Sequence, residues 1–128
     1  MSKENLKELL EDYWYDNQYL QEKAKEFQSM DKFLKIDGNS EFLISTKQYE
    51  ESQMLKIVEK KKYIESLIQR LSQPYRTLMY MKYISFLTFD QIAGKMNYST
   101  KRIYQLHSEG FSKLLNIINE NETIFSKN

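Results

Sequence analysis

A chain of 128 residues is long enough for one domain, or two small subdomains, with a real core. Charged residues at 29%, apolar residues at 41% and only four Gly plus Pro favour an all-α protein over one of sheets and long loops. A net charge of +1 excludes a polycation, and the absence of cysteine excludes disulfides and thiolate metal sites. No apolar run approaches the roughly 20 residues that span a bilayer, and no basic-then-apolar leader opens the chain, so a cytoplasmic protein is expected.

The first segment, Lys3 to about Met30, reads as one long helix. Leu6, Leu10, Tyr13, Asn17, Leu20, Ala24 and Phe27 recur at steps of four and three, a heptad seam with Asn17 as its polar member. Tyr13, Trp14, Tyr15 and Tyr19 at helical spacing read as core or dimer packing rather than a base-stacking platform. Asp37-Gly38-Asn39-Ser40 is the strongest turn cluster, and Glu41 to Ser45, with Phe42, Leu43 and Ile44, reads as an extended link. Ser45 or Thr46 then opens a second helix to about Ser72, carrying Met54, Ile57, Ile64, Ile68 and Leu71 on a seam that Lys61 interrupts. The run Glu59-Lys60-Lys61-Lys62 reads as a solvated face. The two seams pair either with each other as a hairpin or with a second chain, and both arrangements fit the pattern.

Pro74, the chain's one proline, marks a break. An apolar helix with Leu78, Met79, Met81, Tyr83 and Ile84 follows from Tyr75 to about Ser85, and Phe86 and Leu87 lead out of it. From Phe89 to Ser108 the sequence has the form of a helix-turn-helix. Thr88 is placed to cap the first helix, and Ala93 is the small residue where the two helices touch. Asn97 tolerates the positive φ of the turn, and Ser99 caps the second helix. Ile92, Met96, Ile103 and Leu106 form one apolar face, while Thr100, Lys101, Arg102, Tyr104, Gln105 and His107 form a polar front. A helix with a buried back and a cationic front suits the DNA major groove. The last helix should run from Thr100 past Gly110 to about Ile118, with a frayed tail covering 121–128.

Local charge agrees with this reading, since residues 1–73 sum to −2 and residues 74–113 to +4. Thr100, Lys101, Arg102 and Gln105 lie at the N-terminal end of the second helix, where base edges are reached first, and Tyr104 shares their front. Arg102 suits bidentate contact with guanine and Gln105 with adenine, each worth about 1–3 kcal/mol of discrimination. Ser99, Lys95 and Lys82 are placed as phosphate positioners, and His107 reads as a surface or phosphate-facing histidine. No Gly-rich phosphate loop, nucleophile–base pair or metal-ligand spacing appears, so neither catalysis nor a cofactor or metal is expected.

Several spaced features from Leu71 onward agree with a known pattern. Pro74, Tyr75, Arg76, Leu78, Tyr83, Leu87, Thr88, Ile92-Ala93, Met96, Ser99, Ile103, Gly110, Phe111 and Leu114 resemble region 4 of sigma-70-type factors over about residues 71–116. Nothing in residues 1–70 looks like the region of those factors that reads the −10 element. The chain more closely resembles the short sigma-like phage and prophage regulators of Gram-positive bacteria, of the ArpU and RinA type. That resemblance implies a C-terminal helix-turn-helix domain at 73–120 that binds promoter DNA, behind a helical packing or dimerisation region at 1–72. It also implies RNA polymerase as a protein partner, and a homodimer would let such a protein read two half-sites. An interaction module that never meets DNA, and a small terminase subunit, are the rival readings.

Overall fold

The computed structural model describes residues 1–37 and 41–126. The fold is all-α, with helices α1 (Lys3–Asp37), α2 (Glu41–Gln69), α3 (Tyr75–Met79), α4 (Phe89–Met96) and α5 (Thr100–Ser126), and a π-helical turn at Tyr80–Ile84 after α3. No helix among the described residues is long and apolar enough to cross a membrane.

Three expected boundaries move. Helix α1 runs to Asp37 rather than Met30, because no Gly or Pro interrupts that stretch. The extended link expected at Glu41 to Ser45 is instead the first turn of α2. Phe42, Leu43 and Ile44 are ordinary helix formers once the helix has begun. Of the turn cluster, Gly38, Asn39 and Ser40 lie outside the described residues. Helix α5, expected to reach about Ile118, runs to Ser126. Ile118 is buried, and Arg70 Nη1 donates to Asn121 Oδ1 at 3.3 Å.

The chain divides into two compact units, residues 1–14 with 63–128 and residues 15–62. This differs from a contiguous division at residue 72, because the ends of the long helices join the C-terminal core. Leu6, Leu10 and Tyr13 of α1 are buried there with Ile64, Leu67 and Ile68 of α2 and with Leu71. Leu78, Met79, Ile92, Ile103, Leu106 and Leu114 complete the interior, each at most 1% exposed. A fully buried side chain of this size contributes about 1.5–3 kcal/mol, so this cluster carries the stability of its unit. Tyr13 Oη donates to Glu65 Oε1 at 2.5 Å, and burial together with that carboxylate raises the phenol's pKa. The seam residues 6–13 and 64–71 thus meet within one chain.

The unit of residues 15–62 is held differently. None of its described side chains is buried. Tyr19 Oη donates to Glu50 Oε2 at 3.0 Å, Lys23 pairs with Glu50 at 3.4 Å and Glu26 at 3.0 Å, and Lys60 pairs with Asp16 at 3.3 Å. Lys60 therefore leaves the solvated face expected for the 59–62 run. Apart from Glu26 these partners are only partly exposed, so water reaches the pairs but screens them less than it would fully exposed ones.

Two local devices shape the C-terminal part. Gly110 is buried where α5 meets α3, and a Cβ there would lie 3.0 Å from Met79 Cε and 3.4 Å from Tyr75 Cδ1. A side chain would force the fully buried Met79 aside, so glycine permits this close approach. After the π turn, Phe86 adopts φ 57°, a left-handed conformation that bulky residues rarely take. Its ring lies 6.3 Å from Tyr13 and 6.4 Å, edge-on, from Trp14, contacts that offset the backbone cost.

Candidate nucleic-acid interface

The candidate site is built on α4, the turn 97–99 and the first turns of α5. Helix α4 starts at a capping box. Thr88 Oγ1 accepts from the Gln91 N–H at 3.2 Å, and the Thr88 N–H donates to Gln91 Oε1 at 2.9 Å. Replacing Thr88 by Ala is expected to lower unfolding stability by about 1 kcal/mol, measured by chemical denaturation; an unchanged midpoint would show that the cap is dispensable. Helix α4 ends at Asn97 with φ 59° and ψ 38°, and the N–H groups of Asn97 and Tyr98 both return to the Ala93 carbonyl. Asn97 takes the left-handed conformation the turn requires, and Ala93 is buried beside it. Ser99 Oγ then accepts from the Arg102 N–H at 3.1 Å and caps α5.

These caps fix which side of α5 faces outward. Ile92, Ile103 and Leu106 are fully buried, and Ser99, Lys101, Arg102, Tyr104 and Gln105 are exposed. Arg102 Nη1 donates to Gln105 Oε1 at 3.4 Å, so the two proposed base readers sit side by side. Half-buried Thr100 donates from Oγ1 to Asp90 Oδ1 at 3.3 Å, tying the first turn of α5 to the first turn of α4. Lys95 is exposed at the end of α4. Lys82 is half-buried, with its ammonium 4.2 Å from the centre of the Phe89 ring. The Phe89 ring in turn lies 4.6 Å from Tyr104. Phe89 thereby contacts both Lys82 of the π turn and Tyr104 of α5.

His107 requires a correction. It does not stand on the surface but is half-buried among rings, 5.1 Å from Phe89 and 5.9 Å from Phe111. Its Nε2 lies 2.6 Å from Tyr83 Oη. Burial, with a smaller contribution from the Lys82 ammonium, lowers its pKa to about 4. Burial pushes the Tyr83 phenol up to about 12. The neutral phenol and the neutral imidazole therefore share one hydrogen bond, whose direction follows the tautomer of the ring.

Sequence reasoning missed Asp90 as the partner of Thr100 and Phe89 as a platform. It also missed the Tyr83–His107 pair, which spans 24 residues and follows no periodicity. Among the described residues, no group of three or more His, Asp or Glu is placed to hold a metal ion.

Fold and site together define an all-α protein whose last two helices join through a capped, left-handed turn and carry a cationic front. The chain belongs to the family described as protein of unknown function (DUF1492), whose model matches residues 23–115. No curated protein and no solved structure matches the chain.

Proposed function

We propose that the chain is a sequence-specific DNA-binding transcriptional regulator of the phage or prophage type, with α4 and α5 as its helix-turn-helix. The observation that carries this reading is the exposed front of α5. Lys101, Arg102, Tyr104 and Gln105 stand in solvent while Ile103 and Leu106 anchor the same helix from behind. A rigid helix with cationic and amide side chains at its N-terminal end has the means to read base edges. Ser99, Lys95 and Lys82 surround it as phosphate contacts. The capping box at Thr88 and the Asn97 turn support the reading because they hold the helix in one attitude. A regulator of this kind reads two half-sites through a homodimer, and exposed Tyr49 and Leu55 leave apolar surface on α2 for a second copy.

The rival reading is an interaction module that binds RNA polymerase or another regulator without touching DNA. It draws on Trp14 and Phe86, which are 42% and 39% exposed and stacked edge-on. Selecting bound sequences from a random duplex pool separates the two. A DNA reader is expected to enrich one motif, and binding should fall steeply with salt. Failure to enrich any motif would favour the interaction module. A motif found at packaging sites rather than promoters would favour a small terminase subunit.

A further inference from the structure

From Ser66 to Phe89 the chain carries Arg70, Arg76 and Lys82 but no Asp or Glu. This stretch surrounds a cleft of about 380 Å³ that opens to solvent. It is lined by Gln69 at the end of α2, Gln73, Arg76 and Thr77 of α3, and Tyr80 and Met81 of the π turn. Among these described lining residues Arg76 is the one charged group, and none is a carboxylate. Glu65, one turn before Gln69 on α2, lies outside the lining and accepts from Tyr13. Arg70 is held elsewhere, by Asn121. The Arg76 Nε is shut off from water and meets no hydrogen-bond acceptor, an unusual state for a buried donor.

The groups beside Arg76 are donors too. Gln73 Oε1 accepts from the Thr77 N–H at 3.1 Å and from Thr77 Oγ1 at 2.6 Å. A backbone N–H can only donate, so the amide atom that meets it is the oxygen, and what Gln73 has left to offer is its NH2. Tyr80, 46% exposed, adds a hydroxyl.

We propose that this cleft is a binding site for a phosphate-type oxyanion, as the free ion or as the phosphate of an ester. The guanidinium fork engages two oxygens at once, which gives the buried Nε its acceptor. Gln73 and Tyr80 supply donors for a further oxygen, which phosphate has and a carboxylate lacks. A cation is repelled by Arg76, and a neutral ligand or water leaves its charge uncompensated. The volume is that of a small-molecule site, so an ester enters as well as the bare ion. The front of α5 and the DNA reading play no part in this assignment.

The test begins with the full chain, inorganic phosphate and no DNA, at constant ionic strength so that screening does not vary. The chain has three arginines, Arg70, Arg76 and Arg102, so the Nε–H signals in a proton–nitrogen NMR spectrum are few, and the one lost in Arg76→Gln belongs to Arg76. Phosphate is expected to shift that signal saturably with a Kd of about 1 mM or tighter, while the Arg70 signal serves as the internal reference. Gln73→Glu keeps an acceptor for Thr77 but places a carboxylate in the cleft, and should weaken phosphate binding at least about tenfold. Gln69→Glu, on another exposed residue of the lining, should act in the same direction, and circular dichroism should show both variants folded. The site is refuted if phosphate produces no saturable shift at Arg76, or if acetate matches phosphate in affinity. It is refuted equally if both folded variants bind phosphate as the native chain does. A duplex in place of free phosphate then identifies the source. If it shifts the Arg76 signal and Gln73→Glu weakens its binding, the ligand is a backbone phosphate; if the signal stays in place, the site serves a small phosphate compound. Both results support the site. Failure to bind any duplex would count against the DNA reading alone, because the measurement with free phosphate contains no DNA.

Discussion

Replacing Lys101 and Arg102 together by alanine is expected to lower affinity for the selected DNA motif about 100-fold. Loss of one bidentate guanine contact accounts for about 1–3 kcal/mol, and loss of a phosphate contact adds to it. The salt dependence should flatten as well. Each lost phosphate contact removes about 0.9 from the slope of log affinity against log salt, so a drop of one to two is expected. Stability should stay within about 0.5 kcal/mol of the native chain, because both side chains are exposed and the Arg102 guanidinium donates to a Gln105 that is itself exposed. Lys113→Ala is the matched control. Lys113 is also an exposed cation on α5, but its ammonium lies 5.1 Å from the Tyr75 ring, three turns beyond the proposed base readers. If the double variant binds every sequence as tightly and with the same salt slope as the native chain, the groove model is lost. If Lys113→Ala matches the double variant in both measures, the binding is diffuse electrostatics rather than a read helix.

The parts of this fold that were legible in the sequence are those set by one residue and its near neighbours. Thr88 is legible as the cap of α4 from its side-chain chemistry, and the structure adds Gln91, which closes the capping box. Asn97 precedes a Ser cap, and few residues other than Gly accept the left-handed turn at that point. The buried faces of α4 and α5 follow from helical periodicity, which places Ile92, Ile103 and Leu106 inward whatever they pack against. What could not be read is set by contacts between distant segments. Whether the seam of residues 6–13 meets residues 64–71 of its own chain or of another depends on where the intervening helices turn, and heptad spacing is the same in both cases. The π turn at Tyr80–Ile84 and the left-handed Phe86 are likewise tertiary outcomes. A Tyr-Met-Lys-Tyr-Ile stretch has no breaker, and Phe86 takes its conformation where Tyr13 and Trp14 receive its ring. Both helices outlast the regular apolar spacing that bounds them in the sequence, α1 to Asp37 and α5 to Ser126. A helix in fact stops at a breaker or an unsupported end, and neither occurs at Met30 or at Ile118.

His107 shows how such a hidden contact becomes measurable. Its imidazole is held neutral with a pKa of about 4, whereas in the unfolded chain it titrates at about 6.5. Above pH 6.5 both states leave the ring neutral, and the stabilisation from burying it is fully present. Between pH 6.5 and 4 the unfolded chain takes up a proton that the folded chain refuses, so stability falls as the pH drops through this window. A displacement of this size corresponds to about 3 kcal/mol for a fully enclosed ring. His107 is only half-buried, and solvent screening reduces the expected loss to about 1–2 kcal/mol. Carboxylates elsewhere also titrate in this range, so the informative quantity is the difference between the native chain and His107→Phe. The phenyl ring keeps the packing against Phe89 and Phe111 but cannot be protonated and cannot hydrogen-bond Tyr83. At pH 7 the variant should be the less stable protein, by about 1–2 kcal/mol, because the Tyr83 hydroxyl is left without its hydrogen-bond partner. Toward pH 4.5 that gap should close by a similar amount, as the native chain alone bears the cost of keeping its imidazole uncharged. Parallel stability profiles for the two proteins would show that the ring is solvated in the folded state and that the Tyr83–His107 contact does not hold it neutral.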